Sequence, residues 1–107
     1  MKRFVIALVA ALSLGAFAQA EPEFKLVIEN HKFTPETITV PAGQKVKLVI
    51  ENKDATPEEF ESKSLNREKV IPGKSTGTVF IGPLKAGEYK FVGEFNEKTA
   101  KGVIVAK

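Results

Sequence analysis

Apolar and polar residues alternate along this chain in short bursts separated by turn residues. Phe24, Leu26 and Ile28 fall on one side of a first extended segment, Ile38 and Val40 mark a second, and Val46, Leu48 and Ile50 a third, because side chains two apart on a strand point the same way. Pro41-Ala42-Gly43-Gln44 supplies the tight turn between the second and third. The segments Thr78 to Ile81, Tyr89 to Phe91 and Val103 to Val105 continue the pattern. Glu58 to Ser62 is a weaker strand whose only large apolar residue is Phe60, and the polar stretch 63–69 after it reads as an excursion away from the sheets. No segment sustains a 3.6-residue period, so the chain is predicted to be all-β: about seven strands in two antiparallel sheets with Greek-key crossings, a β-sandwich. Tyr89 follows the turn Leu84-Lys85-Ala86-Gly87-Glu88 and is expected to bond back across it as a tyrosine corner.

The N-terminus departs from this alternation. Lys2 and Arg3 precede an apolar run from Phe4 to Phe17, and Ala18-Gln19-Ala20 gives the small-x-small pattern of a signal-peptidase site. Residues 1–20 are therefore expected to be a cleaved secretory signal peptide and 21–107 a single periplasmic domain, not embedded in the membrane after cleavage. Cysteine is absent, so no disulfide, thiolate metal site or cysteine-linked lipid can form. Of the 16 Lys and Arg, two lie in the leader, and the rest nearly balance the 13 Asp and Glu. That balance leaves no basic footprint for nucleic acid. With no nucleophile elbow, phosphate loop or histidine metal motif, enzymatic activity is not expected.

Three blocks carry a family pattern: Phe33-Thr34-Pro35-Glu36-Thr37-Ile38-Thr39-Val40-Pro41-Ala42-Gly43, then Val46 to Asp54, then Gly87-Glu88-Tyr89-Lys90-Phe91. Together they resemble the cupredoxin-like domains of bacterial exported proteins. Blue-copper members of that family hold copper with one histidine after the third strand and a cysteine, a second histidine and usually a methionine in the last loop. By this resemblance Glu58 stands at the first histidine position, Gly93 at the cysteine, Asn96 at the second histidine, and Thr99 or Ala100 at the methionine. Thiolate and imidazole give a blue site its affinity and tuning, so no type 1 blue copper is expected here.

A narrower likeness lies in Glu59-Phe60-Glu61 followed by Leu65 to Gly73. This is similar to the cupredoxin-like domain of EfeO-type proteins, periplasmic components of bacterial iron-uptake systems that work beside a membrane iron permease. In those domains a Glu-aromatic-Glu element is associated with binding iron or copper. The resemblance implies metal-binding roles for Glu59 and Glu61. It also implies a membrane iron permease or a companion periplasmic iron protein as partner.

The residues themselves support a similar expectation. Glu59 and Glu61 should project from one face of their strand while Phe60 turns into the core. Glu58 is adjacent, and Glu94 and Glu97 lie in the loop that a sandwich brings close. Such oxygen donors suit a hard ion such as ferric iron, or a divalent one, and their crowding should raise at least one pKa. The candidate metal ligands are thus Glu59, Glu61, Glu58 and Glu94, for an iron or copper ion. The alternative is a solvated rim paired with Lys53, Lys63, Arg67 or Lys98, which would make the domain a metal-free periplasmic adaptor for protein contacts. Arg67 offers two-pronged donors to Glu59 or Glu61 within the domain or to a group on a partner, and the internal pair is the expected one. His31, the one imidazole, reads as a turn residue after the first strand.

Overall fold

A computed structural model describes residues 21–107, and the expected signal segment 1–20 lies outside the described residues. Among the described residues nine strands form: β1 (Glu23–Glu29), β2 (Lys32–Thr34), β3 (Thr37–Val40), β4 (Val46–Asn52), β5 (Glu58–Ser62), β6 (Arg67–Ile71), β7 (Ser75–Ile81), β8 (Gly87–Gly93) and β9 (Lys101–Ala106). A 3-10 turn, Glu94–Asn96, interrupts the path from β8 to β9. One sheet has the order β2-β1-β4-β7 and the other β3-β9-β8-β5-β6. The all-β sandwich expected from the alternation is thus present, with two corrections. It is mixed, since β1 runs parallel to β4 and β3 parallel to β9, and it has more strands than the pattern predicted.

The extra strands are the ones that carry little apolar signal. β2 is three residues long and folds back on β1 through Asn30 and His31, both at left-handed φ (56° and 58°). β6 begins inside the stretch read as an excursion and takes up its last three residues, 67–69. Its first four residues are all exposed, so backbone pairing with β5 creates the strand where no alternation could announce it.

The core lies between the sheets. Leu26, Ile28, Leu48, Ile50 and Ile81 come from one sheet and Phe60, Phe91, Ile71 and Ile104 from the other, all essentially buried. Phe33 from β2 packs edge-on against Phe91 at 4.9 Å between ring centres, and Phe60 lies tilted against Phe91 at 5.2 Å. Burying each such ring contributes about 1.5–3 kcal/mol, so Phe60 anchors the otherwise polar β5. The expected tyrosine corner is formed: Tyr89 Oη donates to Lys85 O at 2.7 Å.

Candidate functional site

Strand β5 controls the site by its parity. Glu58, Phe60 and Ser62 point inward and are buried, while Glu59 and Glu61 point outward and are half-buried, as strand geometry requires. The inward polar groups are all satisfied. Ser62 Oγ donates to Lys90 O at 2.7 Å and accepts from Leu65 N. Glu58, only 2% exposed, accepts from Glu59 N at 3.0 Å and Phe95 N at 2.8 Å on one oxygen and from Asn96 Nδ2 at 2.7 Å on the other. A buried carboxylate would be costly without such donors.

The four positions aligned with blue-copper ligands do converge. Asn96 bonds Glu58 directly, and a Cβ at Gly93 would lie 2.6 Å from Glu58 Cδ and 2.7 Å from Ala100 Cβ. Gly93 is therefore demanded by close approach. The residues present do not fit a blue-copper ion: no sulfur is available, and each Glu58 oxygen already faces N–H donors that a cation would have to displace.

On the outer face Glu59, Glu61 and Glu94 are brought together, with Glu68 and Glu97 beside them. Of the four predicted ligands only Glu58 is placed elsewhere, on the inner side of the sheet. Glu61 stands directly opposite Glu68 in the β5–β6 register, and like charges in that position are unfavourable. Partial burial, then the charges of Glu94 and Glu68, push the Glu61 carboxyl above its ordinary value, with Lys63 opposing. The Glu94 carboxyl is raised first by its hydrogen bond with Glu59, then by loss of water and by the charges of Glu59, Glu97 and Glu68. An open groove of about 690 Å³ runs alongside, with Glu61, Glu94, Glu97 and Lys63 among its walls. Among the described residues no three His, Cys, Asp or Glu side chains converge tightly enough to cage a metal ion.

The ion pairs that the alternative of a solvated rim would place on these acids do not form among the described residues. Salt bridges join Lys25 to Glu51 (2.9 Å), Lys47 to Glu23 (3.7 Å) and Lys45 to Glu21 (3.8 Å), all on the β1–β4 side. Arg67 corrects its expectation: its guanidinium donates to main-chain carbonyls, Phe80 O at 2.9 Å and Asn66 O at 3.0 Å, instead of clamping Glu59 or Glu61. Residue 67 faces inward-pointing Ser62 in the register, so its side chain leaves the sheet on the side opposite the acids. His31 serves its turn, as expected, through its backbone: His31 N donates to Asp54 Oδ2 at 3.0 Å and His31 O accepts from Thr99 Oγ1 at 2.6 Å.

Three contributors escaped sequence reasoning. Asn52, buried before β5, donates to Thr56 O and Ile71 O and accepts from Asp54 N, which shapes the approach to Glu58. Asp54 in turn binds the amides of Asn30 and His31, and these outweigh the opposing effect of burial to hold its carboxyl below the ordinary value. Glu68 would have been found had β6 been read as the hairpin partner of β5.

Comparison with known proteins agrees with this architecture. Residues 2–106 match the model of the Cupredoxin-like domain. An uncharacterised protein of Rickettsia prowazekii (strain Madrid E) is 42% identical over 83 residues, 78% of this chain and 66% of that protein, so the chain spans just under two thirds of that relative's length. Among solved structures, a copper binding protein in the apo form superposes with a TM-score of 0.71 at 22% identity, covering 83% of this chain and 92% of that one. Auracyanin A, a "blue" copper protein from Chloroflexus aurantiacus, gives 0.71 at 16% identity, covering 82% and 100%. The metal binding domain of the Streptococcus pneumoniae D39 Cu(I) exporting P-type ATPase gives 0.68 at 14% identity, covering 79% and 84%. At these identities the structural likeness concerns the fold.

Proposed function

From the premise that the chain belongs to the cupredoxin-like domain family, we propose that it is a periplasmic accessory protein of iron uptake, of the EfeO type, and not an enzyme. It takes iron or copper loosely on Glu59, Glu61 and Glu94 and passes it to a membrane permease or a companion periplasmic protein. The observation that carries this reading is the acid face itself: Glu61 is set directly against Glu68 in the β5–β6 register, Glu61, Glu94 and Glu97 line one groove, and no basic side chain forms a salt bridge with any of them among the described residues. Such crowding is unfavourable when the site is bare and is relieved by a cation. Two or three carboxylates also leave coordination positions open to water or to a partner's ligands, which suits transfer better than storage. The copper-binding neighbours support metal handling on this kind of sandwich.

The test is equilibrium dialysis of the purified protein against iron(III), iron(II) and copper(II). Saturable uptake of one of these ions is expected, and it should be lost in Glu59→Gln/Glu61→Gln. Absence of uptake, or uptake indifferent to the double substitution, rules the reading out. A second reading, the metal-free adaptor, is favoured by the lack of a three-ligand cluster among the described residues. It predicts co-purification of a partner that persists in chelator and in the same double variant.

A further inference from the structure

We propose that Glu58 is a positioning residue, which with Asn96 forms a metal-free clasp at the place of the blue-copper ligands and holds the Glu94–Asn96 turn so that Glu94 meets Glu59 on the outer face. The turn has no side-chain cap of its own at Gly93. Its Phe95 amide is instead received by Glu58, and its Asn96 side chain is bonded to the other oxygen of the same carboxylate. Helical turns leave such early amides without internal partners, so the acceptor has to come from elsewhere in the fold.

Glu58 and Glu59 are consecutive on one strand and point to opposite faces. One holds the turn from beneath through N–H donors, and the other meets it from outside through the Glu94 carboxyl. Gly93 and Ala100 complete the clasp by being small. Any larger residue at Gly93 would drive into the Glu58 carboxylate and the Ala100 methyl. The place that the resemblance assigns to the blue-copper ligands is filled, in this chain, by its own side chains.

The link to ion binding rests on the acid-face reading above, whereas the clasp is tested without metal. Glu58→Ala, Glu58→Gln and Asn96→Ala are compared in the full protein, with Ile104→Val as a destabilised control. In the metal-free state Glu58→Ala is expected to speed exchange of the Phe95 amide about tenfold or more and to shift the Asn96 side-chain amide resonances to solvent-exposed values. Glu58→Gln should restore the Phe95 protection, because its carbonyl still accepts the two backbone N–H groups; its amide can donate to Asn96 Oδ1 once that side chain turns over, which leaves the Asn96 side-chain amide at exposed values.

Iron(III) affinity on the same samples should fall about tenfold in Glu58→Ala, recover in Glu58→Gln and stay unchanged in Ile104→Val. Unchanged Phe95 exchange in Glu58→Ala overturns the clasp. If that variant does not fold, unchanged Phe95 exchange in Asn96→Ala overturns it equally. Loss of Phe95 protection with iron affinity intact overturns the link to the acid face. A wild-type protein that binds no iron, yet whose Phe95 protection follows Glu58, retires the acid-face reading and leaves the clasp standing.

Discussion

The outer surfaces of the two sheets handle charge in opposite ways. On the four-stranded sheet, basic and acidic side chains face each other across β1 and β4, as in Lys47–Glu23 and Lys25–Glu51. On the five-stranded sheet, Glu61 opposes Glu68, and Glu94 meets Glu59. Both surfaces lie over the same core, so packing does not account for the difference. A protein shaped by stability alone would have paired the second surface as it paired the first. That contrast is the ground on which we propose the acid face as the working one.

The strongest way to break the comparison is to remove the anchor beneath the acid face. Phe60→Ala should cost about 3–5 kcal/mol of stability, read as a lower midpoint in urea unfolding. Next, Gly93→Ala should cost about 1–3 kcal/mol by overpacking against Glu58 and Ala100, read as a fall in Tm with the circular dichroism of the folded state retained.

A pH series separates the two surfaces by sign. Glu61 and Glu94 are raised from the ordinary 4.5, so they hold protons more tightly folded than unfolded. Their contribution to stability is present below 4.5 and is lost as pH rises through their folded values. Glu51, held down by the Lys25 ammonium, and Asp54, held down by amides against burial, are lowered from 4.5 and 3.8. Their contribution is present above those values and is lost as pH falls through their folded ones. Stability against pH should therefore peak in mildly acidic solution. Glu61→Gln should flatten the neutral-side decline, and Asp54→Asn the acid-side one, both followed by urea midpoints.

The smallest effects concern single charges at neutral pH. Glu61→Gln should raise the urea midpoint slightly, and less so in high salt, where repulsion is already screened. Lys25→Gln should leave it nearly unchanged. A destabilising Glu61→Gln would erase the contrast between the faces.

Much of this was legible in the sequence wherever a buried side chain repeats at the strand period. Leu26 with Ile28, Leu48 with Ile50, and Phe60 between two outward glutamates all read correctly, as did the corner at Tyr89. β2 and β6 did not, since exposed residues such as Arg67, Glu68 and Lys69 carry no alternation and are strands only because a partner pairs with them. Glu58 was decipherable in part. Parity with Phe60 sends it inward, but that a carboxylate can be buried there depends on Phe95 and Asn96, some 37 residues away in sequence, and no local pattern announces them. Arg67 was misjudged because acids are the usual partners of guanidinium, whereas here main-chain oxygens lay closer.

That guanidinium also bears on the free border of the four-stranded sheet. β7 ends its sheet, and a terminal strand offers a row of unpaired peptide groups to any passing chain. By occupying the Phe80 carbonyl, on a strand beside which the charged residues of β6 lie, Arg67 takes up one of the acceptors that this border would otherwise offer to another strand.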